Sequence, residues 1–126
     1  MSNEAFKQLL IGRTYTYSLD LIKFIDTLNK RDLTVQIISK QLLRSGTSIG
    51  ANIIEAQAGS SRNDFINFLN HALKSANESK FWLGLLKDSS KSDKTAAEVL
   101  LTETGELAKI LGSSIRTLRN KEEKKL

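Results

Sequence analysis

No proline occurs anywhere in the 126 residues of this chain. Proline removes a backbone donor and clashes with the preceding turn, so it is the residue that most reliably interrupts a helix. Without it the apolar pattern is free to run on, and the pattern here is helical. Phe6, Leu10, Tyr17, Leu21, Phe24 and Leu28 fall on one face, with Arg13 filling the gap in the stripe. Val35, Ile38, Leu42, Ser45 or Gly46, Ile49, Ile53 and Ala56 make a second stripe. Phe65, Phe68 or Leu69, Ala72, Ala76, Ser79, Leu83 and Leu86 make a third. Leu100, Thr104, Leu107, Leu111, Ile115 and Leu118 make a fourth. Steps of three and four are the signature of an amphipathic helix, and no segment alternates as a strand would.

Three polar breaks separate the stripes, at residues 29–32, 59–61 and 87–93. They predict helices over 3–28, 33–58, 62–88 and 93–119. Gly59 suits a left-handed helix end. Ser61 is placed to cap the third helix, with Asp64 three residues on as an acidic capping-box partner. Ser92 is placed to cap the fourth. Gly46 and Gly50 each cost about 1 kcal/mol inside a helix, yet the period continues on both sides of them, so small residues there let another backbone approach. Four long stripes with short connections define an all-α fold, an antiparallel up-down four-helix bundle. The expected domain covers 1–119, and 120–126 reads as a frayed basic tail.

The same composition removes whole classes of function. There is no cysteine and one histidine, so neither a disulfide scaffold nor a thiolate or histidine metal centre is expected. No cofactor and no metal are expected. His71 has Asn67, Lys74 and Ser75 as helical neighbours and no carboxylate one turn away to orient it. A catalytic site needs a positioned acid, base, nucleophile or metal, so an enzyme is not expected. No apolar run approaches the roughly 20 residues of a membrane span. The opening residues lack the basic and apolar regions of a signal peptide, and the expected location is cytoplasmic.

Charge is unevenly placed. The net charge is +5. Residues 116–126 carry Arg116, Arg119, Lys121, Lys124 and Lys125 against two carboxylates, and residues 30–44 carry Lys30, Arg31, Lys40 and Arg44 against one. These two zones hold the whole excess. Clustered cations can neutralise phosphates and make binding salt-dependent, so Lys30, Arg31, Lys40, Arg116, Arg119, Lys121, Lys124 and Lys125 are candidate nucleic-acid contacts.

Two helices carry more than a core stripe. On the third, Phe81 and Leu85 project far around from Ala76, Ile66 and Leu73 lie between, and Trp82 flanks the stripe. That width predicts a homo-oligomer interface at Phe81, Trp82 and Leu85. On the second helix, Arg44, Ser48, Ala51 and Glu55 share one face within the run QLLRSGTSIGANIIEA of residues 41–56, which also contains Asn52. The run is neither G-x-x-x-x-G-K-[ST] nor G-x-G-x-x-G and no strand precedes it, so it is not a phosphate loop. Arg44 and Glu55 need partners on other elements, and Arg13 and Glu78 are the candidates for a buried polar network.

That run, followed by SRNDF at 61–65 and ESKFWL at 78–83, and preceded by FKQLLIGR at 6–13, closely resembles the small four-helix bundle family of 23S ribosomal RNA intervening-sequence proteins, also called the S23 ribosomal protein family. The chain is also similar to the accessory variability determinant proteins of diversity-generating retroelements. The resemblance spans about residues 5–118. It implies a bacterial four-helix protomer in a ring-like homopentamer whose basic surface or pore handles nucleic acid, and it implies no enzymatic activity. The retroelement branch implies instead a scaffold for a partner enzyme, a reverse transcriptase, with its template RNA. The residues leave both readings open.

Overall fold

The computed structural model describes the backbone of residues 3–125 and the side chains of residues 3–121. Its elements are α1 (Asn3–Asp26), α2 (Leu33–Gln57), α3 (Arg62–Asp88) and α4 (Lys94–Lys125), with no strand among the described residues. The chain is therefore an all-α four-helix bundle. The fourth helix runs six residues further than the 119 expected from its stripe.

The helix ends are set by side chains that take up orphaned backbone groups. Thr27 Oγ1 donates to the Phe24 carbonyl, and Lys30 Nζ donates to the carbonyls of Ile25 and Leu28, closing α1 two residues before the expected 28. Asp32 opens α2 by accepting from the Val35 N–H. Ser61 caps α3 as expected, accepting from Asp64 N–H at 3.1 Å. The reciprocal half of that capping box is absent, because the Asp64 carboxylate accepts from Ser60 Oγ instead. Two expectations are corrected. Gly59 is not left-handed, since no glycine has a positive φ. It is small because the chain doubles back there: an added Cβ would lie 3.2 Å from both the Ala56 carbonyl oxygen and Asp64 Cβ. The cap of α4 is Asp93, which accepts from Ala96 N–H at 2.8 Å, while Ser92 Oγ is buried without a partner.

The four stripes meet in one core. Leu21, Leu42, Ile49, Leu83, Leu86, Leu107 and Leu111 are fully buried. Thr14 approaches Gly50, and Tyr17 and Leu21 approach Gly46. Ser45 meets Ser79, and Tyr17 meets Thr104. Along α1 and α2, rising numbers (14, then 17 and 21) meet falling ones (50, then 46). Near mid-height, buried hydroxyls from all four helices meet in pairs, Tyr17 with Thr104 and Ser45 with Ser79. Thr104 Oγ1 spends its hydrogen on the Leu100 carbonyl at 2.6 Å, so the Tyr17 phenol donates to Thr104 at 2.7 Å. Burial pushes the Tyr17 pKa up to about 12, which keeps the phenol a donor.

Packing is closest between α2 and α3 and loosest between α1 and α4. The loose seam is clasped at mid-height by Arg13, whose Nε and Nη2 each donate to one oxygen of Glu103 at 2.7 Å. Arg13, placed in the stripe from sequence, therefore borders the core and pairs across it. Thr14 takes the buried place, 1% exposed, with its hydroxyl satisfied by the carbonyls of Leu10 and Ile11.

Candidate nucleic-acid interface

The two basic zones centre on opposite ends of the molecule, with Arg44 of the second standing at mid-height beside Ser45. The start of α1, the end of α2, the start of α3 and the end of α4 together line one cleft. The opposite end is tied by Lys91 Nζ donating to Asp32 at 2.5 Å and Lys87 donating to Glu98 at 3.1 Å. At about 1.5 Å per residue the two ends stand roughly 35 Å apart. That is several Debye lengths at physiological salt, so each end presents its field alone.

The end holding the start of α1 and the end of α4 is the stronger. Arg116, Arg119 and Lys121 emerge from the last described turns of α4, and all three are exposed. Lys7 and Arg62, not singled out from sequence, join them at this end: both line the same cleft as Lys121. None of these five has a carboxylate partner among the described residues. Arg116 Nη2 donates only to Ser113 Oγ at 3.2 Å, and Lys7 Nζ sits 5.0 Å from the centre of the Phe65 ring. The side chains of Lys124 and Lys125 lie outside the described residues. Folding adds Lys7 and Arg62 to the zone because the α1 and α3 starts share an end with α4, a juxtaposition that linear charge counting does not register.

The other end is weaker. Arg31 and Lys40 are exposed and without a carboxylate partner among the described residues. Lys30 is committed to the carbonyls that close α1, at 2.5 and 3.1 Å. Lys91 is occupied by Asp32, whose carboxyl is held below its usual range first by that hydrogen bond and then by the backbone N–H of Val35.

The polar face of α2 is not a buried network. Arg44 reaches Glu78 and Gln41, and Glu78 also accepts from Trp82 Nε1 at 2.8 Å. The Arg44 side chain is 57% exposed. Ser48 and Asn52 donate to carbonyls of their own helix, those of Arg44 and Ser48, and Glu55 stays exposed with no ion pair among the described residues. The expected group of Arg13, Arg44, Glu55 and Glu78 thus separates into an Arg13–Glu103 clasp and an Arg44–Glu78–Trp82 bridge. The spacing along α2 identified a polar face but carried no signal for Glu103, which arrives from α4.

Of the candidate interface residues, Phe81 and Leu85 are 59% and 39% exposed. Trp82 is half-buried, packed on the core and edge-on to Phe81. Ile66, counted with the excess apolar surface, belongs to the core at 6% exposed, and Leu73 packs against it. A second apolar surface went unremarked in the sequence. Tyr15, Leu19 and Ile22 on α1 are 66%, 43% and 42% exposed, as is Ile54 on α2 at 53%. The signal was present, since residues 15, 19 and 22 repeat at i, i+4 and i+7. It was masked by the stronger stripe opposite.

Among the described residues no group of three or more metal-ligating side chains occurs and no helix is long and apolar enough to cross a membrane. The fold and surface define a class: a four-helix bundle with cationic ends and exposed apolar flanks. Residues 10–113 match the family model of the 23S rRNA-intervening sequence protein, and the chain belongs to that family. A crystal structure of a protein of unknown function from the S23 ribosomal protein family of Bacteroides thetaiotaomicron VPI-5482 is similar to it. The two share 38% identity and a TM-score of 0.78, over 84% of this chain and 97% of that one. No curated protein matches the chain.

Proposed function

We propose that this chain is a non-enzymatic, oligomeric bundle that binds RNA or DNA through its phosphates. The observation that carries the reading is the set of Lys7, Arg62, Arg116, Arg119 and Lys121 at one end, with no carboxylate partner among the described residues. Cations free of internal partners can exchange their counterions for phosphates, and that exchange is the main source of sequence-tolerant affinity. The cross-helix pairings support an antiparallel up-down protomer, and the family resemblance supports a homopentamer. The exposed apolar residues Phe81 and Leu85 on α3, and Tyr15, Leu19 and Ile22 on α1, support burial against other copies.

The same apolar flanks support a second reading, a scaffold that presents a surface to a partner enzyme such as a reverse transcriptase. Anisotropy of a labelled RNA separates the two. Reversing Arg116, Arg119 and Lys121 together to Glu should lower affinity at least tenfold. Lys30→Gln should change it less than twofold, because Lys30 is spent on carbonyls. Equal binding by the triple variant and the unaltered chain would remove this end as the contact surface, and no RNA binding by the unaltered chain would remove the nucleic-acid reading and leave the scaffold.

A further inference from the structure

The basic end contains a cleft as well as a charged surface. It has a volume of about 580 Å³ and is lined by the start of α1, the end of α2, the start of α3 and the end of α4. That volume falls within the roughly 300–1,000 Å³ of small-molecule sites. Its wall is apolar, with Phe6, Leu10, Phe65 and Leu118 among the lining residues, and its cations are Lys7, Arg62 and Lys121. No carboxylate lines it among the described residues. Phe6, counted in the α1 stripe, is 39% exposed, so it faces this cleft and does not fill the core.

Two of the uncharged polar lining groups, Gln57 and Ser114, bear on the kind of anion. Gln57 Nε2 donates to the Ile53 carbonyl at 3.2 Å, which leaves its amide oxygen as an acceptor. Ser114 Oγ donates to the Ile110 carbonyl at 2.8 Å, which leaves its lone pairs. A fatty acid has no use for acceptors along an apolar wall. A nucleobase has both a flat apolar face and edge N–H donors, and its phosphate needs cations. We infer that the cleft at these four helix ends is a pocket for one unpaired nucleoside monophosphate unit, its ring against the Phe6 and Phe65 side and its phosphate on Lys7, Arg62 and Lys121. This rests on the nucleic-acid reading and deepens it: the unit is supplied either by an unpaired position in a strand or by a free nucleotide.

The test uses the full chain and two probes, AMP and a fluorescein-labelled single-stranded octaribonucleotide, with a duplex of the same length as comparison. Thr117 lines the cleft and is exposed, so Thr117→Trp plugs it without removing a charge. The plug should weaken single-strand binding about tenfold or more and leave duplex binding within twofold. AMP should compete, and adenosine without its phosphate should not. Arg62→Gln, at the start of α3, provides a second variant should the plug alter the helical circular dichroism; it should weaken both AMP and the octamer. If the octamer and duplex bind equally and the plug is neutral, the pocket is refuted while the phosphate-binding surface stands. If no RNA binds, plug-sensitive AMP binding assigns the pocket to a free nucleotide, and its absence overturns the inference.

Discussion

The buried hydroxyl layer shows how single residues set the register of this bundle. Tyr17, Ser45, Ser79 and Thr104 each lose about 2 kcal/mol or more if desolvated without a partner, and the observed alignment satisfies them all. Tyr17→Phe should cost about 1 kcal/mol at neutral pH, read from the denaturant midpoint. It should also flatten the alkaline limb. A phenol whose pKa is raised on folding stabilises the fold fully below its ordinary 10.0, and the contribution is lost as pH rises towards about 12. An alkaline limb unchanged in the variant would contradict this. Gly46 makes the complementary point. Its small size predicts close approach of another backbone; what approaches is the Leu21 side chain, 2.1 Å from where a Cβ would stand. Gly46→Ala should therefore lower the melting temperature, because overpacking of about 1–3 kcal/mol exceeds the roughly 1 kcal/mol gain in helix propensity.

At the scale of elements, the four helices were legible because every stripe has the 3.6 period and no proline competes with it. Their ends were less legible, because several side chains in each break can serve as a cap and only packing selects one. Ser92 and Asp93 are adjacent, both good cap residues, yet Asp93 holds the Ala96 N–H. Asp93→Ala should cost about 1 kcal/mol, whereas Ser92→Ala should be neutral or stabilising, since its buried hydroxyl has no partner. Thermal melts of the two variants decide the assignment. The connection before α4 is pinned to the start of α2 by Lys91 and Asp32. A carboxylate with a depressed pKa stabilises the fold above its ordinary 3.8, and the contribution disappears as pH falls through the depressed value. The melting temperature should fall as pH drops from about 5 through the depressed value, and Lys91→Met should reduce that fall. An identical acid limb in the variant would assign the pH dependence to other groups.

For the whole molecule, the charge zones were legible as counts and the site was not. Arg116, Arg119 and Lys121 stand in one run of sequence, but Lys7 and Arg62 reach them only because four helix ends converge. The apolar flanks were half legible: Phe81 stood out because it lies opposite its stripe, and Tyr15, Leu19 and Ile22 did not. Sedimentation of the full chain at micromolar concentration should return an oligomer, five chains on the pentameric reading, and Phe81→Glu with Leu85→Glu should shift it towards smaller species. A monomer in the unaltered chain would leave these faces to a different partner. Phosphate binding by the cationic end is read most directly from the dependence of RNA affinity on salt. With about three to five phosphates neutralised per engaged end, the slope of log K against log salt should be about −2 to −4 for a single strand. It should become shallower by about two when Arg116, Arg119 and Lys121 are reversed. A slope near zero, or a slope untouched by those reversals, would contradict phosphate binding by that end.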